Sequence, residues 1–144
     1  MNSVITAARK LYVDSNVIIC FIEGDQESQR LAEKLFEQAE MAGIELVTSE
    51  IAIGECLYGA HKRGRHDSVA RFETLFEDVA LFRLIPIETE TVKQAARLGA
   101  ACGMKLIDAI HVASAIGAEC DALVTNDRGI KPTEALRVVQ LPDV

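Results

Sequence analysis

The chain has 144 residues, of which 49% are hydrophobic and 26% are charged, as expected for one globular domain with its own core. Its net charge is −7, which argues against a protein that coats nucleic acid nonspecifically, because such proteins are normally basic. The longest apolar run, Val17 to Ile22, is much shorter than the roughly 20 residues of a membrane span, and residues 1–10 lack the pattern of a signal peptide. We therefore expect a single cytoplasmic domain over residues 1–144 that does not enter membranes.

Short apolar segments alternate with helical patterns along the chain. The composition predicts strands at residues 12–13, 44–47, 84–87, 121–125 and 136–141. The spacing of apolar residues predicts helices at residues 17–22, 26–42, 50–62, 65–82, 88–102 and 106–120. This alternation predicts an α/β fold, a three-layer α/β/α sandwich with a short, mainly parallel central sheet.

Several residues define the boundaries and faces of these elements. Gly43 and Gly103 are predicted to end the helices before them, and Pro86 is tolerable only near the end or edge of its strand. In the helix predicted over residues 65–82, one apolar stripe is formed by Val69, Phe72, Leu75, Phe76 and Val79.

The four cysteines have neither a metal-binding nor a disulfide pattern. Cys20, Cys56, Cys102 and Cys120 are widely spaced, and the sequence contains no C-x-x-C pair. We expect reduced thiols that pack as small hydrophobic side chains.

Four acidic residues lie in or beside apolar segments instead of on a solvated face. Asp14 ends the first predicted strand and Asp127 follows the fourth, so both should emerge at the same edge of a parallel sheet. Glu55 lies in the helix after the second strand, and Asp108 lies in the first turn of the helix over residues 106–120. Each alone has a structural explanation: Asp14 as a helix N-cap and Glu55 as a half-exposed helix residue. Asp108 could complement the helix dipole, and Asp127 could form an Asx turn.

If the four carboxylates converge, their negative charges must be neutralised. Two like charges at about 4 Å repel by roughly 4 kcal/mol at an effective dielectric of about 20. Either some of the carboxylates stay protonated, or a divalent cation lies among them. Oxygen ligands favour Mg²⁺ or Mn²⁺ over zinc, and such an ion with a water molecule is suited to attack on a phosphodiester.

Four segments resemble, in order and spacing, the motifs of the PIN domain: Val13–Val17, Gly54–Glu55, Leu106–Ala109 and Val124–Asp127. Over its whole length the chain is similar to the PIN-domain toxins of VapBC-type toxin–antitoxin modules, which are small Mg²⁺-dependent ribonucleases. The resemblance implies an α/β fold, an RNA substrate and a homodimer. It also implies a small antitoxin whose Arg or Lys reaches the acidic pocket.

The resemblance also implies roles for individual residues. Asp14, Glu55, Asp108 and Asp127 would be the catalytic residues and metal ligands, while Ser15, Asn16 and Thr125 would orient carboxylates or water. Ser15 stands where these toxins usually have Thr, which keeps the hydroxyl group. The segment after Asp127 departs from the family, because Arg128-Gly129-Ile130 replaces the usual acidic and aromatic residues.

The mechanism implied by the resemblance uses one or two Mg²⁺ ions, with Mn²⁺ as an alternative. The ions would activate a water for in-line attack on phosphorus and neutralise the leaving oxygen, giving 5′-phosphate and 3′-hydroxyl ends. His111, three residues after Asp108 on the same helical face, is expected to pack or to act indirectly rather than as a catalyst.

The densest positive run follows the helix that carries Glu55. We predict that its Lys62, Arg63 and Arg65 bind RNA, because Lys62 lies two helical turns beyond Glu55, about 10 Å along the axis. An equally good interpretation is that these cations complement the C-terminus of the helix.

Two other classes of function compete with the nuclease. In one, a non-catalytic PIN-like module uses the acidic pocket mainly to dock a basic protein partner. In the other, Asp14 is the nucleophile of a phosphoacceptor or phosphatase domain. The residues after Asp14 disfavour that class, because a haloacid-dehalogenase-type phosphatase requires Asp-x-Asp-x-Thr and residue 16 is Asn.

Overall fold

Strands and helices alternate through the computed structural model, which describes residues 2–144 and, within them, five strands and seven α-helices. The strands are β1 (Lys10–Val13), β2 (Glu45–Ser49), β3 (Arg83–Ile85), β4 (Ala122–Thr125) and β5 (Arg137–Gln140). The helices are α1 (Ser3–Ala7), α2 (Ser15–Glu23), α3 (Gln26–Ala42), α4 (Glu50–Lys62), α5 (His66–Glu77), α6 (Thr89–Cys102) and α7 (Leu106–Gly117). A short 3₁₀ helix, Leu141–Asp143, follows β5.

The five strands form one parallel sheet in the order β3-β2-β1-β4-β5, with β1 at its centre. From β1 the chain adds β2 and β3 on one side and then crosses over to add β4 and β5 on the other. Val13 is in register with Val124, and the Asp14 N–H donates to the Val124 carbonyl at 3.0 Å. The carboxyl ends of β1 and β4 therefore lie side by side at the switch point where α/β sheets bind ligands.

The sheet is covered on both faces, as the sequence predicted. Leu11 and Val13 pack into one core with α2 to α5, whereas Tyr12 between them packs into a second core with α6 and α7. Val124 and Leu123 of β4 divide in the same way between the two cores. This alternation of side chains on each strand produces three layers, and the α/β/α prediction is confirmed.

Glycine ends two of the long helices where the sequence predicted. Gly43 and Gly103 follow α3 and α6 with φ of 68° and 70°, a left-handed conformation that glycine adopts without steric cost. The N-terminus of α3 is capped by Asp25, which accepts a hydrogen bond from the Ser28 N–H at 2.8 Å. Local signals thus fix both ends of α3.

Several predicted boundaries were wrong. The helix predicted to reach residue 82 ends at Glu77, because the Asp78 carboxylate accepts the Ala80 N–H at 3.0 Å and so favours a turn. Val79, assigned to the apolar stripe, is consequently 90% exposed. Strand β3 ends at Ile85, directly before Pro86, and lies at the edge of the sheet as a proline requires.

Further differences lie at the start of the chain and at the end of the last long helix. Helix α7 ends at Gly117, three residues earlier than predicted, and α1 was not predicted at all. Within residues 2–144, no single helix is long and apolar enough to cross a membrane; α6 and α7 together meet a length and composition criterion but are bent by 118°.

Candidate functional site

Asp14 is the most buried carboxylate at the carboxyl edge of the sheet, with only 2% of its surface exposed. It ends β1 and caps α2, where its Oδ1 accepts the Ser15 N–H at 2.8 Å. Its Oδ2 accepts the Thr125 hydroxyl at 2.7 Å. Burial raises the pKa of Asp14, while His111 and Thr125 act in the opposite direction, and the balance stays above the usual value.

Ser15 and Thr125 contact Asp14 through their hydroxyl groups, and Asn16 lies beside Thr125. Ser15 Oγ donates to Glu55 Oε1 at 2.9 Å, which connects α2 to α4. Thr125 Oγ1, besides donating to Asp14, accepts the Asp127 N–H at 3.0 Å and so connects the ends of β1 and β4. Asn16 contacts the backbone rather than a carboxylate: its Oδ1 accepts the Asn126 N–H at 2.8 Å and holds the loop after β4 against α2.

Glu55 meets His111 across the edge of the sheet, with α4 supplying the carboxylate and α7 the imidazole. His111 is 1% exposed, and its Nε2 lies 2.5 Å from Glu55 Oε1 and 3.3 Å from Asp14 Oδ1. Burial disfavours the charged imidazole, but the hydrogen bond to Glu55 and the charges of Asp14, Glu55 and Asp108 outweigh burial and raise the pKa of His111. Burial would raise the pKa of Glu55, yet the hydrogen bond from His111 lowers it below its usual value.

The second nitrogen of His111, Nδ1, is fixed by a hydrogen bond with Tyr12. Its Nδ1 lies 2.7 Å from the hydroxyl of Tyr12, a fully buried residue of β1. The Tyr12 hydroxyl in turn donates to Ser49 Oγ at 2.8 Å, at the end of β2. Burial raises the pKa of Tyr12, so the phenol keeps its proton and the chain of hydrogen bonds fixes the imidazole ring.

Asp108 and Asp127 approach each other beside Gly129. A Cβ atom at residue 129 would lie 3.1 Å from Asp127 Oδ1 and 3.3 Å from Asp108 Oδ2, so both carboxylates face the space that a side chain would fill. Burial raises the pKa of Asp108, and the negative charges of Asp127, Asp14 and Glu55 raise it further. The charges of the other three acidic residues therefore all reach Asp108.

The donor atoms of this site fit a divalent cation. One donor atom each from Asp14, Glu55 and His111 lies within 4.8 Å of the other two. Ligands about 2.1 Å from an ion stand at most about 4.2 Å apart, so small shifts would bring all three into one coordination sphere. A cation there would also relieve the repulsion that raises the pKa of Asp108.

Comparison with known proteins decides the family. The sequence model of the PIN domain matches residues 11–136, nearly the whole chain. The chain belongs to the PIN domain family. No curated protein sequence gives a significant match.

Solved structures share this fold. VapBC2 from Rickettsia felis, bound to a promoter DNA fragment, is similar with a TM-score of 0.72 at 16% identity, over 91% of this chain and 98% of that one. A toxin–antitoxin complex from Klebsiella pneumoniae gives 0.68 at 21%, over 93% and 99%. VapC20 from Mycobacterium tuberculosis, a toxin that cleaves the sarcin–ricin loop, gives 0.68 at 14%, over 78% and 86%. The predicted PIN-like fold is thereby confirmed.

The basic segment of this PIN domain divides into two parts. Arg63 and Arg65 form ion pairs with Glu23 at the end of α2, the Arg65 contact at 3.7 Å. Lys62 is exposed, lies 5.9 Å from the centre of the Tyr58 ring, and has no ion pair among residues 2–144. Lys62 is therefore the member of this segment whose charge is most available to a ligand.

Sequence reasoning about this PIN domain missed the contacts of His111. A signal was present, since Asp108 and His111 are three residues apart and so lie on one helical face. The missing information was the orientation of α7 relative to α4, which depends on packing across the edge of the sheet and has no local pattern. An indirect or packing role was expected, and the structure places Nε2 in contact with two carboxylates.

Proposed function

We propose that this PIN domain is a divalent-metal-dependent endoribonuclease that cleaves phosphodiester bonds with Mg²⁺ or Mn²⁺ as cofactor. One observation carries the proposal: Asp14 and Glu55 meet at His111 Nε2 at the switch point of the sheet, and the charges of Asp14, Glu55 and Asp127 all reach Asp108. Several carboxylates of like charge in one place are costly unless a cation joins them. Metal-assisted hydrolysis of a phosphodiester is the chemistry that such a set serves best.

In this proposal the residues of the chain bind and orient. Asp14, Glu55, Asp108 and Asp127 would hold the metal, which when bound supplies charge neutralisation and a more acidic water. Ser15 and Thr125 fix the carboxylates through the hydrogen bonds at 2.9 and 2.7 Å, and Asn16 fixes the loop that carries Asp127. Preorganised groups of this kind lower the cost of reaching the transition state.

RNA binding is proposed to be local, because a net charge of −7 repels polyanions over most of the surface. Lys62 on α4 is exposed and lies beyond Glu55 in the direction of the helix C-terminus. We assign it the main phosphate contact, with Arg63 and Arg65 contributing from their pairs with Glu23. Contacts of the protein with RNA bases would determine at which sequences it cleaves.

We further propose that the protein is the cytoplasmic toxin of a type II toxin–antitoxin pair and forms a homodimer, and that residues 1–144 are a single domain. The similar structures of Rickettsia felis and Klebsiella pneumoniae support this proposal, because both are toxin–antitoxin complexes. The cognate antitoxin would insert an Arg or Lys between the carboxylates. A module that only docked such a partner would work with exposed acids, whereas Asp14 is 2% exposed and held by two donors.

The decisive test is Asp14→Asn, compared with Asp25→Asn as a control. Asp25 is an exposed N-cap on α3, so its replacement changes charge by the same amount away from the site. We expect Asp14→Asn to abolish Mg²⁺- or Mn²⁺-dependent cleavage of total RNA, and to relieve growth arrest on expression, with unchanged circular dichroism. Cleavage by Asp14→Asn at the wild-type rate, or cleavage by the wild type in excess EDTA, would contradict the proposal.

A further inference from the structure

A nitrogen atom lies among the oxygen atoms of the acidic site. The Nε2 of His111 is 2.5 Å from Glu55 Oε1 and 3.3 Å from Asp14 Oδ1, and the imidazole is 1% exposed. A nitrogen lone pair can stay this close to carboxylate oxygens only when a proton or a metal ion lies between them. His111 is thus part of the donor set, in a site otherwise made of carboxylates.

The hydrogen bonds on the far side of the ring set its orientation. The single proton of the Tyr12 hydroxyl is donated to Ser49 Oγ at 2.8 Å. The phenol oxygen, 2.7 Å from His111 Nδ1, therefore accepts the Nδ1 proton. Nε2 is then the ring nitrogen that faces Glu55 and Asp14, and a metal ion bound there would displace the proton that Nε2 donates to Glu55. Histidines that bind metals are generally held in this way, with the other ring nitrogen donating to a fixed acceptor.

We propose that His111 is a direct metal ligand, together with Asp14 and Glu55, and that it makes the site select Mn²⁺ over Mg²⁺. Donor atoms of these three residues lie within 4.8 Å of one another. Mg²⁺ requires a nearly ideal octahedron of oxygen ligands, whereas imidazole favours transition metals. Mn²⁺ accepts both carboxylate and nitrogen ligands and binds nitrogen more strongly than Mg²⁺. The inference builds on the metal-dependent nuclease proposed above and names the metal class of that same site.

Electron spin-echo envelope modulation of the Mn²⁺-loaded full chain tests this ligand directly. We expect modulation from a coordinated ¹⁴N nucleus in the wild type, and its change on ¹⁵N-histidine labelling, which needs no substitution. The chain has three histidines, and the other two, His61 and His66, are exposed. The double substitution of His61 and His66 by Gln should keep the signal, and His111→Gln should remove it.

Calorimetric titration supplies a second readout. In His111→Gln we expect Mn²⁺ affinity to fall at least about tenfold, the lower end of the loss seen when even an outer partner is removed from a metal site. Mg²⁺ affinity should change little, because imidazole contributes little to Mg²⁺ binding. Tyr12→Phe keeps the aromatic packing but removes the Nδ1 acceptor, so it should weaken Mn²⁺ binding more than Mg²⁺ binding.

The outcomes separate the two proposals. Wild-type protein that binds Mn²⁺ without ¹⁴N modulation would overturn His111 as a ligand and leave the metal-dependent nuclease intact. Equal losses of Mn²⁺ and Mg²⁺ affinity in His111→Gln and Tyr12→Phe would also overturn it, because they would indicate a structural role alone. Wild-type protein that binds neither ion would contradict both proposals.

Discussion

Substitution of Thr125 can remove hydrogen bonds of the site while a side chain of similar shape stays in β4. Its hydroxyl donates to Asp14 Oδ2 at 2.7 Å and accepts the Asp127 N–H at 3.0 Å. In Thr125→Val the buried carboxylate loses a donor while the shape of the side chain is kept. A hydrogen bond to a charged group is worth about 1.5–3 kcal/mol, so we expect the free energy of unfolding to fall by roughly 2 kcal/mol at neutral pH.

Thr48 provides the matched control. It is also a fully buried strand threonine, and its hydroxyl donates to the Val13 carbonyl at 2.8 Å. Because that acceptor is neutral, Thr48→Val should lower the free energy of unfolding by only about 1 kcal/mol. Urea denaturation of both variants, followed by circular dichroism, measures the difference. Cleavage of RNA should be strongly reduced only in Thr125→Val.

The effect of Thr125→Val should depend on pH with a defined sign. Burial raises the pKa of Asp14 and the Thr125 hydroxyl lowers it, so the variant should have a still higher pKa for this carboxyl. The folded state then favours the protonated acid, and the stability lost by the variant is greatest above the pKa of Asp14. The loss should shrink as the pH falls through that pKa. A loss equal to that of Thr48→Val at every pH would refute the reasoning.

Three further predictions concern Lys62, Gly129 beside the acidic residues, and Val79 after the end of α5. Lys62→Ala should weaken RNA binding and lower the salt slope by about one unit, while Lys93→Ala on α6 should leave both unchanged in a filter-binding titration. Gly129→Ala places a Cβ 3.1 Å from one acidic oxygen and 3.3 Å from another, so calorimetry should show weaker Mn²⁺ binding by a protein with wild-type circular dichroism. Val79→Ala should change the free energy of unfolding by less than about 0.5 kcal/mol, whereas Phe72→Ala in the core should cost about 3–5 kcal/mol in urea denaturation.

The position of the acidic site could be predicted from the sequence because it depends on topology. A parallel sheet brings the carboxyl ends of its strands to one edge, so Asp14 and Asp127 had to emerge together once their strands were recognised. The period of α3 and its end at Gly43 were equally clear from the sequence, whereas the N-cap Asp25 is seen only in the structure. These features follow from short segments whose patterns are independent of the rest of the chain.

Features that depend on side chains meeting across layers could not be predicted. The contact of His111 with Glu55 depends on how α7 and α4 are rotated about their axes, which only packing determines. The pairing of Arg63 with Glu23 joins residues on two helices whose relative position has no local signal. The end of α5 was missed for another reason: Val79 continued the apolar period, but the side chain of Asp78 competed successfully for the backbone.

The central position of β1 has a consequence for biosynthesis. Its neighbour β4 joins it from more than a hundred positions further along the chain, as the Leu11–Ala122 pair illustrates. A nascent polypeptide on the ribosome therefore carries Asp14 long before Thr125 and Asp127 exist to complete the cluster. We expect any ribonuclease activity to arise only after β4 has left the ribosome and paired with β1, and arrested nascent chains that stop before β4 should leave the message uncut.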